Sequence, residues 1–174
     1  MKDRELNTDL LVRAYERFER SFAEVTLEEL NAFPVADFAP QIKSMGWLAW
    51  HTGRELDLQI SHLAGKTSLW EGDGWADKLD ITVQADEDGW NHSLEQAQAI
   101  VIKDKASILA YLKAATDQAI AYLAELTESQ LDDIVDTSWT PAVTRGVRLV
   151  SIIDDASMHS GQVFYARRLL GLTD

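Results

Sequence analysis

An all-α four-helix bundle is the fold this sequence predicts. Three observations carry that expectation. Apolar residues recur at three- and four-residue steps along four long segments, capping-box spacings fall between them, and strand-type alternation is scarce. At 174 residues the chain fits a single domain, residues 1–174, long enough to bury its own core.

The first helix runs from about Asp3 to Glu24, its stripe formed by Leu11, Ala14, Tyr15, Phe18, Phe22 and Val25. Thr26 and Glu29 have capping-box spacing and start a short turn, which Pro34 and Pro40 end. Pro40 suits the first turn of the second long helix, which reaches Ala64 and stops at Gly65. Residues 66–92 hold three glycines and three tryptophans with little periodicity, a connection too long to be a plain loop. Ser93 and Gln96 cap a brief helix, and the third long helix follows from Asp104 to Glu125. Thr127 to Gln130 opens another turn. A loop through Trp139-Thr140-Pro141 then leads into the fourth long helix, Thr144 to Leu170, ended by Gly171. The long 66–92 crossover points to an up-down-down-up bundle.

Lys and Arg number 16 against 29 Asp and Glu, a formal net charge of −13. With no Lys/Arg cluster, nothing favours a nucleic-acid backbone or an anionic membrane surface. There is no cysteine, so disulfides, a thiolate metal ligand and a thiol nucleophile of the protein's own are excluded. No apolar run approaches the ~20 residues of a membrane span, and Met1 to Glu5 lacks the apolar core of a secretory signal. A cytoplasmic protein is the expectation.

Chemistry concentrates in two places. Asp155 and His159 stand four apart in an apolar helical segment, so both project from one face about 5–6 Å apart. A carboxylate turned to a core is costly unless paired or metal-bound. More than ninety residues upstream, His51 shares an inward face with Glu55 and Leu58 and is bracketed by Trp47 and Trp50. His51, Asp155 and His159 would make a mixed nitrogen/oxygen triad of the kind that holds a divalent metal. Spacing alone favours a blander reading, a core histidine and a local Asp155–His159 pair. Glu55 is a candidate partner for the second nitrogen of His51, a fourth ligand, or an ion-pair partner of Arg54. By helical rotation Asp57 belongs at the surface. His62 lies three turns from His51, about 16 Å, and is read as structural. His92 is read as a loop or cap residue and Met158 as core filler. Neither a phosphate-binding glycine loop nor a Gly-x-Ser-x-Gly elbow is present.

The stretches Gly46-Trp47-Leu48-Ala49-Trp50-His51, Trp70-Glu71-Gly72-Asp73-Gly74-Trp75, and Asp155 through His159-Ser160-Gly161-Gln162 to Tyr165 and Arg167 resemble the DinB/YfiT-like superfamily. The likeness runs from about Phe38 to Gly171 and is nearest to the actinobacterial-type branch related to mycothiol- and bacillithiol-dependent enzymes. It implies a DinB-like bundle in which His51, Asp155 and His159 hold a metal. Asp155 stands where the commoner pattern has histidine. Two histidines and a carboxylate suit Zn²⁺, Ni²⁺ or Fe²⁺ and leave room for another ligand.

The resemblance further implies an S-transferase or isomerase using a low-molecular-weight thiol on a small electrophile. The alternatives are a metal-dependent hydrolase and a non-catalytic, stress-related metal-binding protein. Catalytic candidates are Glu55 and Gln162. Tyr165 and Arg167 are candidates for holding an anionic substrate or thiol, whereas Arg168, where branch members usually have glycine, is not. Trp70, Trp75 and Trp90 are expected to form a lid over the site or a packed loop or subunit interface, which leaves a homodimer open.

Overall fold

The computed structural model describes residues 3–173. Four long helices dominate: α1 (Asp3–Ser21), α3 (Met45–Ala64), α7 (Lys105–Glu125) and α8 (Arg145–Leu169). Short helices fill the connections, α2 (Leu27–Asn31), α4 (Leu69–Gly72), α5 (Trp75–Leu79) and α6 (Leu94–Ala99). A two-stranded antiparallel ribbon, β1 (Ile134–Asp136) and β2 (Val143–Thr144), precedes α8. Its strands are too short to leave an alternation in the sequence.

Side-chain pairings fix the helix directions. Along α3 and α7, Asp57 meets Tyr111, Ser61 meets Gln118 and the Leu63 carbonyl meets Tyr122, so the two helices run parallel. Arg17 meets Ser160, and Arg167 meets the carbonyls of Ser21 and Ala23, so α1 and α8 also run parallel. Gln59 meets Arg148 while His51 meets His159, so α3 and α8 are antiparallel. The result is the expected up-down-down-up bundle.

All three capping boxes expected from the sequence form, at Thr26/Glu29, Ser93/Gln96 and Thr127/Gln130. The second long helix begins later than expected. Ser44 caps it, its hydroxyl accepting from Trp47 N at 3.1 Å, so Pro40 lies ahead of the helix and not in its first turn. Residues 40–43 are thereby left as an irregular segment that joins the wall of the cleft described below. Gly53 lets α3 approach α7 closely, since a Cβ there would meet the Tyr111 ring at 2.9 Å.

Two charged residues are buried away from the places expected of them. Asp57, expected at the surface, is fully buried. Its carboxylate accepts from the backbone N–H of Leu69 and Trp70, at 2.7 and 2.8 Å, and from the Tyr111 hydroxyl at 3.0 Å. It therefore pins the start of the crossover to α3. Arg167, expected to contact an anionic substrate or solvent, is buried at the other end of the bundle. Its guanidinium donates to the carbonyls of Ser21, Ala23 and Thr173, capping the end of α1 and holding the segment that follows α8. No helix is long and apolar enough to cross a membrane among the described residues.

Candidate metal centre

His51 projects from α3, and Asp155 and His159 from α8, into the space where those antiparallel helices face each other. One ligand atom from each lies within 4.8 Å of the other two. The imidazoles sit edge to face with centroids 4.8 Å apart. Each ring is held through its far nitrogen. His51 Nδ1 meets the Asp88 carbonyl at 2.5 Å, and His159 Nδ1 meets Gln162 Oε1 at 2.7 Å. A carbonyl can only accept, so His51 carries its proton on Nδ1 and keeps the Nε2 lone pair free; a Gln162 amide oriented the same way does this for His159. His159 Nε2 stands 3.3 Å from Asp155 Oδ1, while Asp155 Oδ2 is buried without any partner. A buried carboxylate oxygen lacking a donor is costly unless a cation is supplied. Two imidazole nitrogens and that oxygen form a donor set fitting a divalent transition metal.

Burial lowers the His51 pKa, with the Asp88 carbonyl only partly opposing it, and this keeps the ring neutral as a ligand must be. Burial pulls His159 down as well, but the hydrogen bond and charge of Asp155 outweigh it and leave the pKa raised. Trp47 stacks on His51 at 4.7 Å and covers that ring, whereas Trp50, which brackets His51 in sequence, stacks on His92 at 5.4 Å instead.

The three residues line one side of a cleft of about 680 Å³. Residues 40–43, Trp90 and His92 form another side, and Met158, Gln162 and Tyr165 from α8 complete it. Of the crossover tryptophans only Trp90 reaches the cleft, and it is 76% exposed. Trp70 and Trp75 instead pack against Tyr111. Met158, expected in the core, is half exposed on the cleft wall. Tyr165 is exposed there and suits a substrate contact, whereas Arg167 is committed to carbonyls elsewhere. His62 is exposed near the end of α3. His92 lies in a loop, its Nδ1 accepting from Trp47 Nε1 at 3.1 Å.

Glu55 belongs neither to the converging ligand atoms nor to the cleft lining. Its expected role as partner of His51 Nδ1 is taken by the Asp88 backbone, an acceptor that no side-chain pattern could reveal. Lys43, which lines the cleft, was likewise not anticipated. Burial, reinforced by the Asp88 and Asp155 carboxylates, pushes Glu55 up to about 7 from an ordinary 4.5. The folded protein thus holds a proton that the unfolded chain releases, and this contribution to stability is lost as pH rises from about 4.5 through 7. In metal-stripped protein Glu55→Gln is expected to gain about 1–3 kcal/mol over wild type at pH 8 relative to pH 5. Urea unfolding at the two pH values measures this, and an equal difference at both would show that Glu55 ionises normally.

Bundle and site together define a helical protein built around a mixed His/Asp metal-type centre. The sequence model of the DinB superfamily matches residues 10–163, and the chain belongs to that superfamily. A crystal structure described as the conserved protein of locus from Enterococcus faecalis is 46% identical over 98% of each chain, with a TM-score of 0.90. No curated protein matches.

Proposed function

We propose that this protein is a metal-dependent S-transferase joining a low-molecular-weight thiol, of the mycothiol or bacillithiol type, to a small electrophile. The observation that carries the reading is the convergence of two oriented imidazole nitrogens and an orphaned carboxylate oxygen on one side of an open cleft. His51, Asp155 and His159 would hold Zn²⁺, Ni²⁺ or Fe²⁺. Such an ion supplies acidity, lowering the pKa of a coordinated thiol or water. The chain's own residues do the rest. Trp47, stacked on His51, keeps water from one face of that ring. Gln162, its oxygen engaged by His159, has its amide N–H groups left for a ligand in the cleft. Tyr165 offers a hydroxyl and Trp90 an apolar surface near the cleft mouth.

Asp155 is the only carboxylate among the described residues lining the cleft, and it is already assigned to the metal. No second carboxylate is therefore placed as a general base for water, which favours thiol transfer over hydrolysis. The chain has no cysteine, so the sulfur must come from a cosubstrate. The motif-level likeness to thiol-dependent relatives supports the same choice.

Bacillithiol and 1-chloro-2,4-dinitrobenzene test the reading, the thiol sulfur forming the new C–S bond as chloride leaves. Zn²⁺-loaded protein is expected to accelerate conjugate formation and metal-stripped protein not to. Bacillithiol is also expected to quench Trp90 fluorescence in the loaded protein, with the change absent in Trp90→Phe. Absence of both effects at millimolar bacillithiol or mycothiol would transfer support to the hydrolase or the non-catalytic alternative.

A further inference from the structure

We propose that Arg54 is a positioning residue for the metal, acting through the crossover carbonyl that orients His51. The proposal rests on the reading of His51 as a ligand. That carbonyl, Asp88 O, lies in residues 82–92, where the chain forms only turns and no helix or strand fixes it. Its placement has to be imposed from outside. Arg54 follows His51 by three residues on α3 and is fully buried. Its Nε donates to the Glu87 carbonyl at 2.9 Å and its Nη2 to the Ala85 carbonyl at 2.6 Å. The carbonyls of residues 85, 87 and 88 are thereby all bound by side chains of α3.

The other side of Asp88 is gripped as well. Gly89 has φ +88°, and a Cβ there would meet Trp50 Cζ3 at 2.6 Å and Trp47 Cζ2 at 3.1 Å. No other residue type could bring the strap so near those indoles. The Asp88 carbonyl is therefore fixed between a guanidinium on one side and a glycine seated on two tryptophans on the other.

The chemistry explains why arginine stands at this position. Its planar fork presents several N–H donors in fixed relation and can hold two carbonyls at once, which an ammonium on a flexible stem cannot reproduce. The guanidinium is itself oriented over the Trp70 ring, 4.5 Å from its centroid. Its nearest carboxylate contact, to Asp57, is a loose 3.8 Å, so an ion pair does not account for its direction. A ligand histidine depends on the acceptor of its other N–H to keep ring and tautomer aimed at the metal. By fixing Asp88 O, Arg54 supplies that aim at one remove.

The test uses the full chain stripped of metal, titrated with Zn²⁺ by calorimetry, and the proton NMR signal of His51 Nδ1–H read without metal. Arg54→Lys and Gly89→Ala displace the strap from opposite sides, and both leave every formal charge in place. Each is expected to weaken Zn²⁺ binding by about 10–100-fold and to expose the His51 Nδ1–H to solvent exchange. Tyr122→Phe removes a hydrogen bond to the Leu63 carbonyl at the far end of α3, remote from Arg54 and the strap, and should lower thermal stability while leaving Zn²⁺ affinity unchanged. Wild-type affinity and a protected His51 Nδ1–H in both strap variants would overturn the proposal. So would an affinity loss in Tyr122→Phe as large as that in Arg54→Lys, since the Arg54→Lys loss would then report general destabilisation alone. Should the wild type take no Zn²⁺ at all, the metal reading itself fails, and the His51 Nδ1–H signal still decides whether Arg54 orients that ring.

Discussion

Replacing His51 or His159 with alanine is expected to abolish metal binding that in the wild type reaches about one divalent ion per chain. Either change removes one of only three protein donors. The loss in affinity should exceed the ~10–100-fold that an outer-shell partner contributes. Asp155→Ala should weaken binding comparably, because it removes the carboxylate whose Oδ2 is buried without a donor. Asp155→His should retain an ion and shift preference toward metals that favour imidazole. The Gln162→Ala change leaves all three ligands and removes only the acceptor of His159 Nδ1. Its effect should therefore fall in the smaller, outer-shell range. Elemental analysis of protein purified without chelators or an affinity tag gives the stoichiometry, and competition with a chromogenic chelator gives the ranking. Stoichiometric metal at wild-type affinity in both histidine variants would sink the triad. The helices are expected to persist in those variants, since through Nδ1 the imidazoles hydrogen-bond only a loop carbonyl, Asp88 O, and the side chain of Gln162.

What the sequence made legible was whatever it encodes through side chains at fixed spacing. The three capping boxes, the αL glycine after Ala64 and the four amphipathic stripes all fall where local rules place them. The four-residue step from Asp155 to His159 and the inward register of His51 anticipated the triad geometry for the same reason. The start of α3 was misplaced because Pro40 and Ser44 are both N-terminal signals, and only the hydrogen bond from Trp47 N chooses between them. Asp57 was misassigned because rotation about α3 was read as having one buried face. Helix α3 is instead enclosed by α7, α8 and α4, so nearly its whole circumference is internal. Arg167 and Glu55 lost their expected roles to partners that are backbone carbonyls, which every residue carries and no pattern distinguishes.

Asp57→Ala is expected to destabilise the fold by about 3–5 kcal/mol, the range for breaking a buried charged network on one side. The physical reason lies in what the substitution leaves behind. The Leu69 and Trp70 amides and the Tyr111 hydroxyl donate to the carboxylate from sites with little access to water, and the buried Arg54 guanidinium stands 3.8 Å from it. Each orphaned group carries a desolvation penalty of about 1–3 kcal/mol. Their sum is not expected in full, because the vacated space can admit water that partly re-satisfies them. Asp57→Asn keeps one acceptor oxygen at similar volume and should lose less, about 1–3 kcal/mol. Urea midpoints measured at constant m-value report both losses. A second readout identifies the mechanism. Burial, then the Asp57 charge, holds the Tyr111 phenol well above its ordinary pKa. Removing that charge should bring Tyr111 ionisation down toward the ordinary value in folded protein. Hydrogen exchange should quicken at Leu69 and Trp70, where the crossover leaves α3, before it quickens in α3 or α7. An Asp57→Ala variant with unchanged stability and unchanged exchange at those two amides would mean that the crossover is held by its apolar contacts alone, with Trp70 and Trp75 against Tyr111 sufficient to seat it.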